Sequence, residues 1–232
     1  MLKRLRAYFA LCLFCGTGAK LIAEVGPLDP AVPKSQQTQG DKPLTDNFWL
    51  MPQVSVVMPT ELKLSNRDFK IPYSKQFANI SQFALGAVTP LRRKGDFQLL
   101  AVGKLGLSFK QGTYGFERTS GDPVQGKLQL FWLPISVGGK VQYEIPGFPY
   151  IKPSFSMGGS LNWFYQTGSL GGLNSSYWIP TYFISPAVSF LEGQSSSDWF
   201  GGFTFGVSYQ NSFSTQQSFK AWSFDLSINV LL

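Results

Sequence analysis

Apolar and polar residues alternate with a period of two along most of the chain, and the C-terminus shows this most plainly. Trp222, Phe224, Leu226, Ile228, Val230 and Leu232 alternate with Ala221, Ser223, Asp225, Ser227 and Asn229. Successive side chains of a strand point to opposite faces, so this segment forms a strand with one wholly apolar face and one small or polar face. Trp199, Phe203, Phe205, Val207, Tyr209 and Phe213 repeat the rhythm, as do Ile151, Phe155, Met157, Leu161, Trp163 and Tyr165. Weaker runs extend it, and the pattern predicts strands near 48–59, 77–91, 97–110, 127–145, 151–166, 177–191, 199–213 and 218–232. These lengths run somewhat above the ~10 residues with which a tilted strand crosses a bilayer.

Connections between the strands set an expected topology. With the N-terminus in the periplasm, Thr60–Gln76, Gln111–Gly126, Thr167–Ser176 and Ser214–Gln217 face outward, while Arg92–Asp96, Pro146–Tyr150 and Glu192–Asp198 face the periplasm. Three of the four outer loops are long and the inner ones are short, as in outer-membrane barrels. Thr60–Gln76 is long enough to hide a further hairpin, which would make ten strands. Pro134 and Pro186 fall in mid-strand, where each removes a ladder hydrogen bond, so bulges or shorter strands are expected there.

Composition sharpens the choice between a soluble and a membrane-embedded β-protein. Hydrophobic residues make up 44% and charged residues 14%, with 21 Phe, 9 Tyr, 6 Trp and 24 Gly. The charge is low for a water-exposed surface. After the N-terminal segment no apolar run approaches the roughly 18 residues of a membrane-crossing helix. A membrane protein without such a helix has to be a closed barrel, because open sheet edges cannot be satisfied in lipid.

Lys3, Arg4 and Arg6 precede the apolar run Ala7–Cys15, and Thr17-Gly18-Ala19 offers small residues for cleavage, the layout of a secretory signal over 1–19. Both cysteines, Cys12 and Cys15, lie inside it, and Leu11 and Phe14 before them are too large for a lipoprotein signal. Residues 20–47, rich in Pro and Gln, read as a flexible periplasmic tail ahead of a barrel over 48–232. The basic surplus outside the signal is small and scattered, without stacking aromatics between cations, so no nucleic-acid partner is expected.

The signal Met1–Ala19, the absence of cysteine beyond it and the terminal strand Lys220–Leu232 together resemble the small, eight-stranded bacterial outer-membrane β-barrel proteins. The resemblance implies an all-β, closed, antiparallel up-and-down transmembrane barrel in the outer membrane. It implies outer-membrane lipid and lipopolysaccharide as surroundings, the barrel assembly machinery as a partner during insertion, and a monomer. Trp222, Phe224, Leu226, Ile228, Val230 and Leu232 are similar to the C-terminal signal that this machinery reads, although the usual last residue is aromatic and here it is Leu232.

The chain contains no histidine. Ser-His-Asp hydrolysis is therefore excluded. The enzymes of the resembled class (outer-membrane phospholipase, lipid A deacylase, lipid A palmitoyltransferase and the omptin proteases) all use a catalytic histidine, so none of their activities carries over. Imidazole and thiolate metal sites go with it. No catalytic residue, metal site or cofactor is expected. By parity Lys104, Lys140, Glu144, Lys152 and Asp225 point into the lumen, and a turn centred on Phe148 sets Glu144 opposite Lys152 as a cross-strand ion pair. An eight-stranded barrel is only just wide enough for its side chains, so these residues are expected to plug it. Tyr143, Phe148 and Tyr150 on one side, and Trp163, Tyr165, Tyr177, Trp178, Tyr209, Phe219 and Trp222 on the other, are expected as two interfacial girdles.

The leading functional expectation is an envelope structural or surface protein with exposed loops for adhesion, shielding or membrane integrity. A narrow pore or small-solute carrier and a secreted or periplasmic β-sandwich that binds a ligand remain as alternatives.

Overall fold

The computed structural model describes residues 48–64, 69–71, 73–170, 173–191, 200–214 and 217–231. Every described residue belongs to one compact unit. The expected signal at 1–19 and tail at 20–47 lie outside the described residues, as does Leu232.

The elements are β1 (Trp49–Lys63), β2 (Phe69–Lys70), α1 (Tyr73–Gln76), β3 (Ile80–Lys94), β4 (Phe97–Arg118), β5 (Pro123–Tyr143), β6 (Ile151–Gly168), β7 (Ser175–Phe190), β8 (Phe200–Ser212) and β9 (Ser218–Leu231). Every pairing is antiparallel. The ladder runs β4-β3-β1-β9-β8-β7-β6-β5, and β4–β5 closes the ring. β2 only flanks the far end of β4, at Glu117 and Arg118. The wall is thus a closed eight-stranded barrel, and the described residues of Thr60–Gln76 add no hairpin to it. Closure removes the sheet edges that make a strand fatal in lipid.

β1 begins and β9 finishes at one end of the barrel, here called the terminal end; the opposite end is the far end. Short connections close the terminal end, including the Gly95-Asp96 turn, where Gly95 adopts a φ of 56°. The far end departs from expectation. Gln111–Gly126 is not a loop: β4 and β5 continue through it and leave only a turn, held by the Arg118 amide on the Asp122 carbonyl. Thr113, Tyr114, Phe116 and Val124 are β-formers, and the two strands support each other there by pairing as far as Glu117–Pro123. The stretch read as a strand from residue 77 instead opens with a turn over 77–79 that follows α1, so β3 begins only at Ile80.

The prolines neither shorten strands nor create bulges in mid-wall. β4–β5 pairing skips from Leu105–Ile135 to Ser108–Trp132 around Pro134 without changing register. β7–β8 pairing likewise skips from Ile184–Tyr209 to Ala187–Gly206 around Pro186. Each proline loses its ladder bond on one side and keeps its place on the other, opposite Asn162 and Phe155 respectively. True bulges lie nearer the rims, between Pro59 and Glu61 and between Pro90 and Arg92.

Candidate functional site

The outward row of each strand is apolar. Phe83, Leu85, Leu107, Met157, Phe205 and Phe224 are all more than half exposed. Aromatic contacts border this row on both sides. Near the far end Phe109 meets Phe131 at 4.6 Å, Phe131 meets Tyr165 at 6.3 Å, and Trp163 meets Tyr165 and Trp178 at 5.9 and 6.2 Å. Tyr209 meets Trp222 at 4.8 Å on the same side. Near the terminal end Phe97 meets Tyr143 at 4.8 Å, with Phe148 and Tyr150 exposed beside them. From Phe97 to Phe109 the strand rises ~3.3 Å per residue at a tilt of ~40°, roughly 30 Å of vertical height and so a bilayer's apolar thickness. An apolar cylinder of that height needs lipid around it. The molecule is a transmembrane β-barrel; no helix among the described residues is long and apolar enough to cross a membrane, and strands do the crossing.

Two of the expected girdle residues face the other way. Tyr177 and Phe219 point inward and are buried. Tyr177 precedes Trp178 on one strand, and adjacent strand residues cannot share a face, so only Trp178 reaches the lipid side. In β9, Trp222, Phe224, Leu226 and Ile228 face out and Val230 is half-buried.

The lumen is layered. At its far end Trp132 stacks on Phe164 (5.7 Å, 7° between planes), and Phe219 meets both edge-on at 5.0 and 5.2 Å. The first far-end connection closes over them: Tyr73 of α1 and Phe77 are buried in the same cluster, with Phe77 5.3 Å from Tyr114. The Tyr73 hydroxyl donates to Gln166 Oε1. Burial raises the Tyr73 phenol above its ordinary range and keeps it a donor. Beneath this aromatic stopper, Asn162 is a fully buried hub. It accepts from Trp132 Nε1 at 2.9 Å and donates from Nδ2 to Thr181 Oγ1 at 2.9 Å.

The middle tier is polar. Ser208 hydrogen-bonds the Asp225 carboxylate and, at 2.8 Å, the Ser185 hydroxyl. Ser189 and Thr204 are 2.8 Å apart, and Ser136 and Ser160 2.9 Å. Two cavities of about 30 Å³ each adjoin Lys104 and Asp225. That volume suits one or two waters, not a solute path. Gly138 and Gly158 pair across β5–β6 under the Phe183 ring, and a Cβ on either would fall 2.1–2.3 Å from a carbonyl oxygen of the partner strand. At the terminal end Met51, Val88, Leu100 and Val102, with Trp49 packed against them, form a second apolar layer.

Of the five residues expected in the lumen network, Lys104, Lys140 and Asp225 line this middle tier. Glu144 lies just beyond β5 and pairs with Arg93 at 2.5 Å instead of Lys152. The β5–β6 register does lead from Gln142–Ser154 toward Glu144 and Lys152, but the arginine of the neighbouring hairpin takes the carboxylate. Lys152 stands at the terminal mouth opposite Ser189 and makes no ion pair among the described residues. Sequence reasoning missed the aromatic stopper. Its signal is a local loss of alternation: Leu128, Leu130 and Trp132 are apolar inward while Phe131, Leu133 and Ile135 are apolar outward.

At the far rim, one outward step beyond Trp222, Glu61 holds Lys220 at 2.8 Å and Lys63 at 3.3 Å, and Ser218 donates to it. The hydrogen bond from Lys220, then that from Ser218, lowers the carboxyl from 4.5 to about 2 against the opposing effect of burial.

No family model and no curated protein matches the chain. Solved structures to which it is similar include the attachment invasion locus protein Ail of Yersinia pestis, at 16% identity over 80% of this chain and 97% of that one, with a TM-score of 0.43. Neisserial surface protein A is similar at 13% identity over 80% and 96%, with a TM-score of 0.41. The N-terminal β-barrel domain of OprF from Pseudomonas aeruginosa is similar at 15% identity over 84% and 100%, with a TM-score of 0.38.

Proposed function

We propose that this chain is an integral protein of the bacterial outer membrane whose barrel is an anchor and not a conduit, and which acts through the hairpins at its far end. The supporting observation is the aromatic stopper: Trp132, Phe164 and Phe219 fill the lumen side to side, each 0–1% exposed. A route for solute would have to unpack this layer and then the terminal layer around Met51 and Leu100. The β4–β5 hairpin, 22 and 21 residues per strand, stands well clear of the aromatic belt and offers a stiff, exposed ribbon. Its role would be adhesion, shielding or integrity of the envelope, with the far end outside, the N-terminus in the periplasm, and one copy per unit. A non-catalytic role fits a chain without histidine.

Planar-bilayer recording and protease shaving of intact cells test this together. The expected result is no ion conductance, with cleavage confined to the far-end connections, above all Thr119–Asp122. Steady conductance from purified, folded protein would overturn the anchor reading in favour of the pore. Cleavage at Gly95-Asp96 would invert the orientation.

A further inference from the structure

We propose that the outward face of the terminal rim around Arg92 and Lys94 binds the headgroup phosphate of an anionic glycerophospholipid, in the leaflet at that end of the barrel. The inference rests on the membrane-spanning reading and names a specific partner for the lipid-facing wall. Along β3, Phe83 and Leu85 face outward on odd positions. A bulge then inserts Leu91: Pro90 pairs with inward Leu100, but Arg92 pairs with outward Leu99. One extra residue reverses the parity, which is a recurrent use of bulges. Arg92 and Lys94 are turned toward lipid and Arg93 away from it. Without the bulge Arg93 alone would face out.

The surroundings suit a lipid. Arg92 stands in the row of exposed Leu99 and Val141, and Lys94 in the row of Phe97 and Tyr143. Two cations on one face of a strand, two residues apart, lie ~7 Å from each other, within reach of one phosphate through their long side chains. Acyl chains would lie against Leu91 and Leu99 with the aromatic pair at interfacial depth. Within this rim Glu144 pairs with Arg93, whereas among the described residues Arg92 and Lys94 make no ion pair. A guanidinium holds phosphate in two parallel hydrogen bonds, and a nearby ammonium adds point charge.

The test is titration of phosphatidylglycerol or phosphatidylcholine into full-length protein folded in nonionic detergent, counting bound lipid by native mass spectrometry. Both side chains are exposed, so the Arg92→Ala/Lys94→Ala variant should fold; heat-modifiable gel mobility checks this. Wild type should prefer phosphatidylglycerol, the double variant should lose about tenfold or more of that affinity, and Lys63→Ala should lose none. Equal binding of the two lipids, an unaffected double variant, or equal occupancy by inorganic phosphate alone would each overturn the site. A protein that never becomes heat-modifiable would sink the barrel reading instead.

Discussion

The same inward-facing rows of the same eight strands build two opposite interiors. The far half of the lumen is an aromatic stopper packed like a protein core, and the middle is a tier of hydroxyls, amides and a few charges around small cavities. An eight-stranded barrel is narrow enough for either to fill it. The difference lies in what each tolerates. A dry, close-packed layer resists loss of a ring, because the cavity left behind cannot collapse. A hydrogen-bonded tier next to cavities can readmit water where a group is lost.

The largest predicted effect therefore falls in the stopper. Trp132→Ala should destabilise the barrel by about 3–5 kcal/mol, read by urea unfolding in lipid vesicles. Asn162→Ala sits at the boundary and leaves the indole N–H of Trp132 and the Thr181 hydroxyl without their partner; about 1–3 kcal/mol is expected. Asp225→Asn keeps an acceptor for Ser208 and should cost about 1 kcal/mol or less, since neighbouring hydroxyls can rearrange. If Asp225→Asn proved as damaging as Trp132→Ala, the contrast between the tiers would fail. The smallest effect is at the far rim. The Glu61 carboxyl is depressed in the folded protein, so its contribution is present above about 4.5 and fades as pH falls toward about 2. Exposure and salt keep it small. Thermal stability of the wild type should decline modestly through that window, more than that of Glu61→Gln.

The period-two pattern made the wall legible. Each of the eight expected strands overlaps an observed one, because alternation over a long segment has few other solutions. It also carried the facing of Phe224, Leu226 and Ile228. What it could not carry was anything depending on a count of one. The Pro59–Glu61 and Pro90–Arg92 bulges each shift parity by a residue, and nothing in the alternation marks them. The stopper stayed hidden for a related reason: where Leu128–Ile135 is apolar on both parities, pattern gives no face. Glu144 shows a third limit. Register names the residues that stand opposite, but the reach of Arg93 decided the partner.

The central claim is that lipid covers the outward rows. Spin labels on single cysteines at Met157, in the middle of the wall, and Gln125, on the projecting hairpin, test it in vesicles. The Met157→Cys label should be relaxed by oxygen and shielded from a water-soluble nickel chelate, with the reverse at Gln125→Cys. Nickel access to Met157→Cys equal to that at Gln125→Cys, or shielding from both reagents as inside a packed soluble body, would contradict the account.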